Sequence, residues 1–205
     1  MKLKEALKKL RTEAKERKFD QSVDLIINLR GLDVRKENIS VVVNVPHKIK
    51  DKNVCGFLTK KSSLVSTITE PDFAKYKDKK ALKNLVKKYD FFIAIAPLMP
   101  KVATTFGKVL GPAGKMPSPQ LGLLTQESDE AVKEILDKIS KAVKIRAKEA
   151  SIKLAVGKSS MEDEEIAANA DAIYNAIVNV LPNKKENVRS VMVKFTMDKP
   201  EKVEM

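Results

Sequence analysis

The chain has no tryptophan, one histidine and one cysteine in 205 residues, and aromatic side chains make up only 5% of it. A lone Cys55 excludes an internal disulfide, and His47 with Cys55 falls short of the usual four ligands of a transition-metal site. The same scarcity weighs against nucleophilic catalysis. A Cys–His dyad needs a third, orienting group and an open cleft, whereas Cys55 begins a strand-like apolar run and reads as a core residue. No apolar run approaches the ~20 residues a membrane span requires; the longest candidate is Phe91 to Ala96. No secretory apolar region follows Met1, so the chain is expected to be cytoplasmic. There is no internal repeat and no low-complexity tail.

Negative charge is also short. Forty Lys and Arg stand against 27 Asp and Glu, for a net charge of +13 and a pI near 9.6. Such a balance favours a polyanionic partner, nucleic acid before an anionic membrane surface, with solubility alone as the bland alternative. The excess is +5 over residues 1–48, +7 over 49–141 and +1 over 142–205, so it is no basic tail on a neutral body. That spread suits a large folded polyanion. Glycine and proline are few, seven and nine, yet three of each fall between Gly107 and Gln120. This stretch, which carries Lys108 and Lys115, is expected to be a rigid irregular loop outside any helix or sheet.

With 43% apolar residues the chain can bury a core. Residues 2–17 place Leu3, Ala6, Leu7, Leu10 and Ala14 on one side of a helix whose other side is basic. Ser22 to Leu29 alternates as a strand with one wet face, Ile39 to Val45 is apolar enough for a central strand, and Gly31 to Asn38 between them is a polar connection. From about residue 50, short strands alternate with helices, as in a parallel sheet covered on both sides. The strands are Val54–Leu58, Ser63–Ile68 and Phe91–Ala96; the helices begin at Pro71, at about Met99 (to Val109) and at about Glu127 (to Lys141). Strand patterns return at Val143–Ala147 and Ile152–Val156, a helix fills 162–181, and Val188–Met197 alternates again. Glu162 to Glu165 suit the positive end of that helix dipole better than a cation site. The fold class is therefore α/β with α+β: a discontinuous α+β domain from residues 1–49 and 142–205, and a Rossmann-like three-layer α/β/α domain inserted at 50–141. Two connections between them would make a hinge pair.

Gly114-Lys115 and Gly157-Lys158-Ser159 echo the end of a phosphate loop, but Val109 and Ile152 stand where its first glycine belongs, and G-x-G-x-x-G is absent. No cofactor is implied, and a small-molecule or enzymatic Rossmann-like protein is the alternative function. Structured RNA calls instead for polar side chains, backbone groups and lysines on a rigid surface. The wet faces of the first and last strands, with Ser22, Asp24, Ser190, Lys194 and Thr196, form one if those strands are neighbours; Phe19 beside Lys18 adds an apolar contact.

The runs Lys18-Phe19-Asp20-Gln21-Ser22-Val23, Val45-Pro46-His47, Tyr89-Asp90-Phe91-Phe92, Leu98-Met99-Pro100, Val109 to Pro117, Val156-Gly157-Lys158 and Arg189 to Met197 occur in an order that resembles the ribosomal protein L-one family, archaeal branch. The resemblance implies a non-enzymatic protein of the large-subunit lateral stalk that binds large-subunit rRNA, touches exit-site tRNA transiently as it leaves, and represses its own mRNA through the leader. It also implies a monomer off the ribosome, with no membrane partner. Family RNA contacts would fall on Phe19, Ser22, Ser190, Thr196 and Met197, with Lys18 close by; Lys108 and Lys115 would make a secondary tRNA or hinge contact. Three positions depart from the family pattern: Asp198 and Lys48 stand where glycine is usual and Ala113 where arginine is common. Asp198 tolerates left-handed backbone better than most residues but brings negative charge toward phosphate.

Overall fold

A computed structural model describes residues 2–13, 17–32, 39–76, 78–119, 121–147 and 149–204. In chain order the elements are helix α1 (Leu3–Glu13), strands β1 (Ser22–Leu29), β2 (Ser40–Asn44), β3 (Val54–Phe57) and β4 (Ser66–Ile68), helix α2 (Lys79–Lys88), strand β5 (Phe91–Ile95), helix α3 (Met99–Ala113), strand β6 (Leu123–Leu124), helix α4 (Asp129–Lys141), strands β7 (Ala142–Arg146) and β8 (Ser151–Lys158), helix α5 (Asp163–Val180), and strands β9 (Val188–Phe195) and β10 (Glu201–Val203). Most of the connection expected at Gly31 to Asn38, the end of the first helical pattern and Gln120 lie outside the described residues. Two compact units divide the chain, residues 1–50 with 141–205 and residues 51–140.

In the first unit, period-two alternation gives an antiparallel sheet ordered β10-β9-β1-β8. Val23, Leu25, Ile27 and Leu29 of β1 and Val191, Val193 and Phe195 of β9 face inward, where α1 (Leu3, Ala6, Leu7, Leu10) and α5 (Ile166, Ala170, Ile173, Ile177) complete one core. The intervening residues stand on the opposite, open face. The register pairs Asp24 with Lys194, Ile26 with Met192 and Asn28 with Ser190. Strand β8 approaches α5 so closely at Gly157 that an added Cβ would lie 2.8 Å from Ile166 Cγ1. The acidic start of α5 is closed by Glu162 N–H donating to Glu165 Oε2 at 3.4 Å.

Strand β2 corrects an expectation. It is not central: among the described residues it pairs with β7 alone, in a two-stranded antiparallel ribbon. Its valines satisfy β propensity, yet only Val43 is buried while Val41 and Val42 are half-buried.

The second unit has an all-parallel sheet ordered β4-β3-β5-β6. Phe92, Ile93, Ala94 and Ile95 are all buried, so both faces of β5 are covered. Phe57 stacks on Phe92 at 5.7 Å and lies 4.8 Å from Phe106, which meets Phe73 edge-on at 5.1 Å. Four of the chain's ten aromatic residues meet in this one cluster.

The glycine- and proline-rich stretch brings a second correction, because α3 continues through Gly107, Gly111 and Pro112 and the irregular backbone starts only at Gly114. Proline in a last turn forfeits one bond, and Gly107 and Gly111 face open space. Gly114, at φ +69°, takes the left-handed position that ends the helix, with its N–H donating to Gly111 O and Lys115 N–H to Leu110 O.

Candidate RNA-binding surface

At one end of the first unit's sheet, the entry to β1 meets the exits of β9 and β8. Thr196 N–H donates to Ser22 O at 3.0 Å, and Thr196 Oγ1 lies 3.0 Å from Ser22 O and 3.2 Å from Asp24 Oδ2. The buried Gln21 side chain accepts from Met197 N–H at 3.4 Å. These bonds fix the backbone from which Phe19 and Met197 project, 57% and 58% exposed. Lys18 is exposed beside them. Two large apolar side chains held in water by a hydrogen-bonded frame make this end of the sheet the candidate contact surface, whereas one alone would be ordinary.

Asp20 locks the third chain segment in place. It accepts from Ser159 Oγ at 2.7 Å, Ser160 N at 3.0 Å and Ser160 Oγ at 2.9 Å, with Lys158 Nζ at 3.6 Å. The Ser159 hydroxyl foremost, with Ser160 and Lys158, holds the Asp20 carboxyl below its ordinary range against desolvation. Gln21 N–H donates to Ser159 Oγ at 3.0 Å and Ser159 N–H to Gln21 O at 2.7 Å. Arg11 braces the same turn from α1, donating to Ser159 O, Met161 O and Asp163 at 2.6–2.7 Å. Gly157-Lys158-Ser159, a failed phosphate loop by spacing, is thus the support for the Phe19 segment.

The structure divides the remaining sequence-predicted residues. Lys194 sits mid-strand opposite Asp24, while Ser190 is six residues from Thr196, roughly 20 Å along an extended strand. There Ser190 Oγ accepts from Asn28 Nδ2 at 3.0 Å, and Asn28 Oδ1 accepts from Ser151 Oγ at 2.8 Å. An open cleft of about 450 Å³ lies beside them, lined by Asn28, Ser151, Arg189, Ser190 and Met192 among others.

A model of the ribosomal protein L1p/L10e family matches residues 7–198. The chain belongs to this family. It is 37% identical to the large ribosomal subunit protein uL1 of Thermococcus kodakarensis, over 99% of this chain and 97% of that protein. With the proteins of the same name from Pyrococcus horikoshii and Methanococcus vannielii it shares 35% and 34% identity, covering 99% and 95% of this chain and 95% and 94% of theirs. The family's two-domain α/β architecture is the fold described above.

Within this member of the L1p/L10e family, Asp198 does not use left-handed backbone: among the described residues other than glycine, only Lys184 has positive φ. Its carboxylate instead turns toward Arg17, 3.9 Å away, leaving Oδ2 buried without a hydrogen-bond partner. The two lysines of the Gly-Pro stretch part company. Lys108 is exposed, whereas Lys115 Nζ donates to Val86 O and Tyr89 O, both at 2.7 Å, closing the end of α2. Burial pushes the Cys55 thiol up to about 12, which leaves no thiolate for chemistry at neutral pH. Among the described residues no three of His, Cys, Asp and Glu converge on a metal position, and no helix is long and apolar enough to cross a membrane.

Proposed function

We propose that the chain is a structural, non-enzymatic protein of the large ribosomal subunit that binds large-subunit rRNA through the open lip of its first unit. The observation that carries this reading is the frame of Ser22, Gln21 and Thr196 from which Phe19 and Met197 project. Phe19 and Met197 offer flat or adaptable apolar faces to a base or ribose, and the hydroxyls and backbone groups around them read 2′-hydroxyls and phosphates. Lys18 and Lys194 supply charge without dominating the contact. Ser190, Asn28 and Arg189 mark a second point of contact at the far end of the same sheet.

Relatives that share a third or more of their residues with this chain are named as large-subunit proteins, and the chain takes the same place, in the cytoplasm. There it forms the rRNA-anchored base of the lateral stalk, with residues 50–141 as the mobile part that assists exit-site tRNA release. Off the ribosome it is a monomer that binds its own mRNA leader as a repressor.

A small-molecule site in the second unit is opposed by Glu127. The order β4-β3-β5-β6 puts the topological switch point between β3 and β5, where open α/β sheets bind ligands beyond the carboxyl ends of their strands. Glu127 reaches there to accept from Thr59 Oγ1 and from Lys60 N–H at 2.9 Å, taking the backbone donor an incoming phosphate would use.

Binding of a stalk-rRNA fragment tests the assignment. Phe19→Ala and Thr196→Val should each weaken it by about 1 to 3 kcal/mol, through a lost apolar contact or an unpaired polar group. Wild-type affinity in both variants would remove the lip from the RNA interface. A leader-mRNA fragment should compete with the rRNA fragment and lose affinity in the same variants.

A further inference from the structure

Basic side chains are treated differently on the two lysine-rich helices. On α1, Lys4 pairs with Glu164 at 3.0 Å, Lys9 with Glu201 at 2.7 Å and Arg11 with Asp163 at 2.6 Å. In the second unit, Lys75 pairs with Asp72 and Lys101 with Glu70. Helix α2 differs: it contains no acidic residue, and among the described residues no carboxylate pairs with the ammonium of Lys80, Lys83 or Lys87, the capping Asp78 reaching only the Lys80 backbone N–H at 3.3 Å. All three are exposed, and their i, i+3, i+7 spacing puts them on one face. Like charges three and four residues apart repel. The helix dipole rewards Lys87 in the last turn but not Lys80 or Lys83 near the start. The stripe runs about 10 Å, the length of about three phosphate-to-phosphate steps at the ~3.4 Å axial spacing of one DNA strand.

We infer that the Lys80–Lys83–Lys87 face of α2 is a second, sequence-independent docking surface for the phosphate backbone of RNA, separate from the lip on the first unit. This rests on the chain being an RNA-binding protein. Its contribution is electrostatic, so it sets association and salt dependence, while the lip sets discrimination.

The test compares the full-length wild type with a Lys80→Gln, Lys83→Gln, Lys87→Gln triple variant, glutamine keeping helix propensity. Dissociation constants for a generic RNA duplex and for the stalk-rRNA fragment are measured across a potassium chloride series, with thermal melts to confirm folding. The triple variant should bind the generic duplex about tenfold or more weakly at low salt, its log K against log salt slope shallower by about 2 to 3. Its preference for the stalk fragment over the duplex should be kept. An unchanged slope would overturn the inference, as would an unchanged RNA slope with lost binding to phosphatidylcholine–phosphatidylserine vesicles, which would make the face a membrane contact. A single Lys83→Glu variant gives a smaller readout of the same kind should the triple variant melt early. Phe19→Ala with full affinity for the stalk fragment would sink the lip assignment and leave the salt slope untouched, so the two failures are distinguishable.

Discussion

The two sheets use opposite logic. In the first unit only one face of an antiparallel sheet is packed, so alternate side chains of β1 and β9 remain available and strand ends become a rigid platform. In the second unit a parallel sheet is covered on both faces and its interior is given to phenylalanine, leaving only helix exteriors and loops for contact. A sheet with an open face can itself read a partner, whereas a buried sheet can only hold up the elements that do. Nearly equal excesses of basic residues are thus deployed on different scaffolds, and the described lysines differ in which of them have carboxylate partners.

Several substitutions would break or sharpen this contrast. Phe106→Ala empties the centre of the second unit's aromatic cluster, where the side chain is fully buried, and should cost about 3 to 5 kcal/mol. Calorimetry should place that loss in one transition while stalk-RNA affinity stays at the wild-type value; an equal shift of all unfolding would mean the two sheets melt as one. Next in size is Asn169→Ala in the first unit. The fully buried Asn169 accepts from His47 N–H at 2.9 Å and donates to His47 O and Val156 O, both at 3.0 Å. Stranding those backbone groups should cost about 3 kcal/mol, measurable by urea denaturation.

Gly157→Ala should cost about 1 to 3 kcal/mol, because the new methyl would collide with Ile166 beneath the Ser159 turn. Its RNA affinity should fall more than that of Phe106→Ala, although it is the milder lesion; the reverse order would relocate the binding surface. The smallest effect concerns acid. Asp20 has a lowered carboxyl pKa, so its stabilising contribution is present above the unfolded value, near pH 4, and is lost as pH falls through the folded one. Asp20→Asn removes that contribution, so in a pH series of thermal melts it should lower the melting temperature modestly at neutral pH, flatten the acid limb and converge on the wild type at low pH.

Strands β1 and β9 were legible because period two needs no tertiary information, and the wet faces they carry followed directly. The Asp20–Ser159–Ser160 lock was not, since it joins residues about 140 positions apart and none of the three is unusual locally. Strand β2 misled because a valine run signals propensity and says nothing about the number of neighbours. The path of α3 into Gly111-Pro112 misled for the opposite reason: residues that break helix interiors are tolerated in a last turn. The alternating pattern runs Ser190 and Thr196 together as one strand face, but β9 ends at Phe195, and the length between the two keeps them at separate ends of the sheet.

Lys115 belongs to the most recognisable stretch of the chain, and its ammonium is already committed to the carbonyls of Val86 and Tyr89. A scan of surface lysines for RNA defects will therefore misreport it. Lys115→Ala would loosen the last turn of the very helix that carries Lys83 and Lys87, and the weakened binding would pass for a lost phosphate contact. Acylation of the same amine would act in the same way, turning a modification remote from the RNA into a change in the geometry of its charged track.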